Sequence, residues 1–289
     1  MFEPNGSFRR VLGRTGFGPG EFQNAWVIDV RSDTAWVTDY VQSRLTALPV
    51  LDELANPKSW ILSGLALPSW ASVRLQDGSL VLSSNWTHKD RIGFPLHRLQ
   101  LDGSATSFGS KEPRYLPTQS RANLRSLALS HRGGFWAAHV EQYRVELYDQ
   151  NGGVLKEYER GAPWFPPRSG PRLPPDPSRE PIPHLSSIVE DSLGRVWIFA
   201  VVGDVRYREA FEPPKSPADL PIVTVWDRYF DTIIEILDSS TGRLLATTRV
   251  DPAILYSVGM ARDGVLVASE RRLVDGGYQA VVWRTWLRK

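Results

Sequence analysis

SSIVEDSLGRVWIFA, from Ser186 to Ala200, is an apolar strand, a tight turn and a second apolar strand carrying tryptophan. The same unit comes round as AWVIDVRSDTAWVTDY from Ala25, ASVRLQDGSLVLSSN from Ala71, SLALSHRGGFWAAHV from Ser126 and SVGMARDGVLVASER from Ser257. Self-similarity at this spacing points to stacked copies of one β unit. Each unit runs on into a second hairpin, in FEPNGSFRRVLG from Phe2, LQLDGSATSFG from Leu99, LYDQNGGVLKEY from Leu147 and ILDSSTGRLLATTRV from Ile236. Their Asn-Gly, Asp-Gly and Thr-Gly pairs supply the positive φ angles of tight turns. The stretch RLTALPVLDELANPKSWIL after Tyr40 keeps the strand pattern but turns on Asn56-Pro57. Four antiparallel strands per unit follow.

Measured between the first turns (Asp33, Gly78, Gly134, Gly194, Gly264), the repeat is about 45 to about 70 residues. A four-stranded propeller blade takes about 40 to 50, so the longer intervals carry loop insertions. Radial repetition of blades protects sheet edges. No helical period survives the Gly and Pro breaks, which excludes a helical solenoid. The expectation is an all-β β-propeller of four-stranded antiparallel blades in a single domain over residues 1–289. Residues Phe2 to Gly13 read as third and fourth strands without a first and second, and QAVVWRTWL from Gln279 reads as a third strand without a fourth. Either the two ends complete one blade, closing a five-bladed ring, or an upstream part is missing and the ring is six-bladed with Met1 an internal start.

With 34 Lys and Arg against 32 Asp and Glu, the net charge is +2. So even a balance predicts no general attraction to nucleic acid or to a membrane surface. The chain has no cysteine, which excludes disulfides, thiolate metal sites and a thiol nucleophile. No apolar run has the length of a membrane span, and MFEPNGSFRR lacks the apolar run of a signal peptide.

FEPNGSFRRVLGRTGFGPGEF from Phe2 to Phe22, followed by AWVTDYVQSRLTAL from Ala35, resembles the NHL-type six-bladed β-propeller pattern of bacterial proteins. That pattern is a strand, a Gly-Pro-Gly-Glu-Phe turn, then an Asp and an Arg in successive strands. The resemblance is specific over the first 50 or so residues. It implies six blades in ancestry, five complete and one partial here. It implies a range of roles too, from protein- and RNA-binding modules to lyases and lactonase-like hydrolases, and fold does not choose among them. Relatives of this type are often exported, which leaves the periplasm and the exterior open as locations.

Function in a propeller belongs to rim loops, so departures from minimal blade length are where to search. Four insertions stand out. Asn85 to His97 carries Trp86, His88, Asp90 and Arg91, a ligand rim or a solvated hairpin tip. Ser110 to Leu124 carries Arg114, Tyr115 and Arg121, suited to an anionic ligand through paired guanidinium hydrogen bonds or to salt bridges with neighbouring blades. Glu159 to His184 holds nine prolines, which favour extended backbone. Its Trp164 and Phe165 are exposed if the loop is free and a docked lid if they pack. An SH3-type or WW-type ligand is an alternative use of that loop. Gly203 to Asp231 carries Arg206, Tyr207, Arg208, Trp226, Asp227 and Arg228 and interrupts a blade after its second strand. Arg and aromatic side chains dominate interface energies. The last two loops are therefore the expected partner-binding face, with a self-packed flap as the alternative for the second.

Catalytic patterns are absent from the sequence: no HExxH, no Walker loop, no Gly-x-Ser-x-Gly elbow. A metal site drawn from separate blades would use residues such as His184, Glu190 and Asp191, although Asp191 also sits where a turn favours Asp. Trp36, Trp136 and Trp197 recur at equivalent places and read as packing between blades. The expectation is a monomeric binding or scaffold propeller, without cofactor, that recognises a protein or small ligand through one loop-rich face. The alternative is a lyase or lactonase-like hydrolase with a metal in the axial channel.

Overall fold

The structure is a computed structural model that describes residues 7–31, 33–39, 41–51, 56–62, 65–87, 89–100, 102–111, 121–166, 174–213, 216, 220–251, 256–261, 264–272 and 278–287. The chain divides into two compact parts, Met1–Thr118 and Gln119–Lys289.

In the first part, β1 (Arg14–Thr15) pairs in parallel with β2 (Glu21–Phe22). β3 (Ala25–Arg31), β4 (Thr34–Asp39), β5 (Arg44–Pro49) and β6 (Lys58–Ile61) form an antiparallel meander in chain order. A second meander contains β7 (Leu65–Arg74), β8 (Leu80–Trp86), β9 (Leu96–Leu99) and β10 (Ala105–Phe108). The Gly-Pro-Gly-Glu-Phe loop is held by side chains of β4 and β5. The Arg44 guanidinium donates to the carbonyls of Phe17 and Gly18 at 3.1 Å and to that of Glu21. Asp39, its cross-strand neighbour, accepts from the backbone N–H of Gln23, Val41 and Gln42. Arg44 and Asp39 are both buried, and the Arg44 terminal nitrogens and the Asp39 carboxylate are spent in fixing the loop.

The second part repeats the meander in β11 (Arg125–Leu129), β12 (Phe135–His139), β13 (Arg144–Tyr148) and β14 (Val154–Glu159). The next sheet has β15 (His184–Glu190) and β16 (Arg195–Gly203), then an excursion through the short pair β17 (Phe211–Glu212) and β18 (Ile222–Val223), and returns as β19 (Phe230–Asp238) and β20 (Leu244–Val250). The last sheet is three-stranded: β21 (Tyr256–Ala261), β22 (Gly264–Arg272) and β23 (Tyr278–Thr285). The strand from Gln279 is thus the third of its sheet, as its sequence reads. The proposed strand pair at Phe2 to Gly13 lies partly outside the described residues.

Burial follows strand position. Second strands such as β12 and β16 are covered on both faces, which is why FWAAH and VWIFAVV carry almost no polar alternation. Fourth strands are exposed and polar, as in VLKEYE of β14, and an edge strand carrying charge resists pairing with another chain. The recurring tryptophans are core residues. Trp136 donates its indole N–H to Glu190 Oε2 at 3.0 Å, tying one sheet to the next, and Trp197 donates to Asp191 Oδ2 at 2.8 Å. Trp36 stacks on Trp60 at 5.6 Å. The first residue of each readable turn earns its place by local hydrogen bonds. Asp77, Asp102, Asp149, Asp191 and Asp238 each accept from the backbone N–H two residues on.

Candidate functional site

The Gly203–Asp231 insertion leaves β16 and returns to β19, its neighbour in the sheet, so both ends of the flap sit at one end of that sheet. Two short 3-10 helices, Tyr207–Ala210 and Trp226–Arg228, flank the β17–β18 pair. They close on a small core of Ala210, Val223 and Tyr229, with Tyr207, Phe211 and Phe230 packed against it. The flap is therefore self-packed. Its described surface mixes charged side chains (Arg206, Arg208, Glu209, Asp227 and Arg228) with large apolar ones: Val205 is 83 % exposed and Trp226 56 %, with Leu220, Ile222 and Val225 also exposed.

The Pro-rich loop reaches the same strand end. A Cβ at Gly203 would lie 2.8 Å from Pro181 Cδ and 3.0 Å from Glu180 Cγ, so Gly203 is where the loop lies against β16. Earlier in that loop, Trp164 and Phe165 pack edge-on against Tyr143 at 5.7 and 6.0 Å, and Phe165 is buried. This is the docked arrangement, and it leaves these two rings committed to internal packing.

Three carboxylates gather at the root of the flap. Asp204 follows the last residue of β16, Asp231 pairs with Val202 in the ladder, and Asp251 follows the last residue of β20. One oxygen from each lies within 4.8 Å of the others. Arg206 bridges Asp204 at 3.1 Å and Asp251 at 2.7 Å. Arg249 donates to Asp231 Oδ2 at 2.6 Å and to the Gly203 carbonyl at 2.5 Å. Burial alone would raise the Asp204 carboxyl, but hydrogen bonds from Arg206 outweigh it and hold Asp204 below the usual range. Burial raises Asp231; Arg249 opposes the rise, and the charges of Asp204 and Asp251 add to it. Neighbouring carboxylates pushed in opposite directions are the mark of a crowded acidic site.

The other residues singled out in the sequence fall in separate places. Trp86 is buried against Leu80, Leu82 and Leu99, meets His97 edge-on at 4.9 Å, and carries the Arg91 guanidinium 4.2 Å over its ring. Arg206 joins the carboxylates, Tyr207 packs on the flap core, and Arg208 lies over the Tyr207 ring at 5.6 Å. His88, Arg114 and Tyr115 lie outside the described residues. Glu190 and Asp191, considered as metal ligands, are occupied: Glu190 also accepts from the His131 N–H, and Asp191 from the backbone of Leu193 and Arg195 and the Arg195 side chain. His184 meets Phe230 edge-on at 6.2 Å.

A second polar network is buried in the sheet that starts at β11. His139 donates from Nε2 to Glu146 at 3.3 Å, Tyr148 donates its hydroxyl to Glu146 at 2.9 Å, and Arg144 lies 2.7 Å away. Burial would raise Glu146, but His139, Arg125 and the Tyr148 hydroxyl bring it down to about 2. All but Arg144 are enclosed, so the network fixes strand packing.

The role of Asp251 was not visible in the sequence, because nothing local marks an Asp after a fourth strand. Asp204 and Asp231 did carry a signal, since acidic residues stand at both ends of an insertion whose flanking strands must pair.

No protein-family model matches the chain, and no curated protein matches it in sequence. Among solved structures it is similar to a protein from Bacteroides fragilis, at 10 % identity and a TM-score of 0.51, over 92 % of this chain and 72 % of that one. It is also similar to virginiamycin B lyase from Staphylococcus aureus, at 10 % identity and a TM-score of 0.48, over 89 % and 69 % of the two chains. A luciferin-regenerating enzyme gives 12 % and 0.47, over 86 % and 71 %. At such identities the likeness concerns fold alone. The meander sheets and the likeness to the Bacteroides fragilis protein define the fold as a β-propeller. Among the described residues no helix is long and apolar enough to cross a membrane.

Proposed function

We propose that the protein is a binding module that presents the outer surface of the Gly203–Asp231 flap to a protein partner. The observation that carries this reading is the coexistence of a packed flap core with exposed Val205, Leu220 and Ile222 on the same short segment, beside Trp226, which packs one face on Tyr229 and Phe230 and leaves 56 % of its surface in water. A loop that has already buried its own aromatic residues has no folding reason to keep further large apolar side chains in water, and such clusters mark interaction sites. Arg208 and Arg228, both exposed, supply the charged margin that protein interfaces commonly have. Internal packing of the flap also limits the ordering entropy lost on association.

The test is affinity capture with the immobilised protein, comparing the wild type with a Val205→Ser, Ile222→Ser, Trp226→Ser triple variant. Val205 and Ile222 are exposed, so a Val205→Ser, Ile222→Ser double variant should leave the thermal melt nearly unchanged. It serves as the fold control for the triple variant, in which Trp226 also loses its contacts with Tyr229 and Phe230. A partner retained by the wild type and weakened about tenfold or more by the triple variant supports the reading. Equal retention by the two proteins, or by neither, counts against it.

A further inference from the structure

We propose that Asp204, Asp231 and Asp251 form a site for a divalent cation of the calcium class, which fastens the root of the flap to the end of its sheet. The inference does not depend on the flap's having a partner.

The first support is geometric. The three carboxylate oxygens lie within 4.8 Å of one another. Calcium–oxygen bonds of about 2.4 Å place two ligands at most about 4.8 Å apart. An all-oxygen set selects a hard cation over zinc or copper.

The second support is a specific orphaned atom. Asp231 Oδ1 is buried and accepts no hydrogen bond, while Oδ2 of the same carboxylate is taken by Arg249. The Asp231 side chain is only 7 % exposed, so solvent does not make up the loss. Leaving a buried carboxylate oxygen without a donor is costly, and such an atom calls for an explanation. A coordinated cation supplies one.

The third support is the arrangement of the arginines. Three carboxylates face two guanidiniums, so the group retains negative charge to attract an ion. Arg249 grips the far oxygen of Asp231 and the Gly203 carbonyl, which holds the ligand in place without covering Oδ1. Arg206 spans the two other carboxylates with hydrogen bonds to each, and at 42 % side-chain exposure it has solvent within reach should an ion take its place. It is a stand-in cation that a divalent ion would displace.

The experiment uses the full chain after chelator treatment. Terbium(III) luminescence excited through tryptophan reads occupancy, and thermal melts with calcium or magnesium up to about 10 mM read linkage to folding. The expected result is saturable terbium luminescence that calcium competes away, and a rise in Tm of a few degrees with calcium. Both should be lost in Asp251→Asn, whose exposed position spares the fold, and in Asp231→Asn. Arg206→Ala should tighten binding about tenfold, because the competing guanidinium is gone. No saturable terbium signal and no Tm shift would overturn the proposal and leave an ion-pair network in its place. An unchanged response in Asp251→Asn would overturn it equally, since the ion would then be elsewhere. Weaker binding in Arg206→Ala would refute the displacement on which the site depends. None of these outcomes alters the partner-capture comparison, so the two ideas fail separately.

Discussion

At the scale of single residues, the turns show how little freedom the repeat allows. Gly134 closes the turn between β11 and β12 with φ +78°, and a Cβ there would stand 1.9 Å from the Tyr148 carbonyl oxygen. That oxygen belongs to the backbone of β13, so no rotamer change can relieve the clash. Gly134→Ala combines an unfavourable φ with a shift of a packed strand, and it should cost about 3 kcal/mol. The check is the urea midpoint at neutral pH. Gly133 is the comparison, since it too has positive φ (82°) but a Cβ there would meet only the Gln150 side-chain nitrogen, at 3.4 Å. Gly133→Ala should therefore cost clearly less. Equal losses at the two positions would show that φ alone, not the close approach of β13, sets the penalty.

At the scale of elements, insertions are where local structure and sequence pattern part company. The Pro-rich loop docks through Phe165, which joins Tyr143, Leu185 and Ile198 in one buried cluster. Removing its ring by Phe165→Ala should lower stability by about 3–5 kcal/mol, measured by thermal or urea unfolding. A loss under about 1 kcal/mol would mean that the loop detaches readily and its aromatic residues are available to a ligand. The four-stranded meanders were legible beforehand because second strands need continuous apolar runs and turns need Asp and Gly. The root of the flap was not. Asp204, Asp231 and Asp251 meet through strand pairing that spans 48 residues of chain from first to last, and only the register of β16, β19 and β20 places them together. Trp86 illustrates the opposite difficulty: a loop-end aromatic reads alike whether it faces a ligand or, as here, the Leu80–Leu82 core. Composition could point to the flap, but only packing separates its buried Tyr229 from its exposed Trp226.

At the scale of the whole molecule, among the described residues each compact part contains one enclosed histidine whose protonation opposes folding. His97 is fully buried, with Nε2 donating to the Ser84 carbonyl at 3.0 Å and Nδ1 accepting from the Ser107 hydroxyl at 2.8 Å. Burial, with a contribution from the Arg91 charge, lowers it from 6.5 to about 4. His139 is likewise lowered to about 4 by burial, with Glu146 opposing and Arg125 assisting. Between pH 6.5 and 4 the unfolded chain binds these protons and the folded chain does not. Stability is thus full above pH 6.5 and is lost as pH falls towards 4, by about 3 kcal/mol for each histidine over the whole window. Below pH 4.5 the depressed Glu146 continues the loss in the same direction, since it too must be protonated on unfolding. The measurement is the urea midpoint from pH 7.5 down to 4.5. His97→Gln should lower the midpoint at pH 7.5, where its hydrogen bonds are imperfectly replaced, yet flatten the decline with acid. An acid slope as steep in the variant as in the wild type would assign the loss to carboxylates and remove His97 from the account. Because the prediction concerns a slope and not an absolute stability, a variant that is merely weaker does not mimic it.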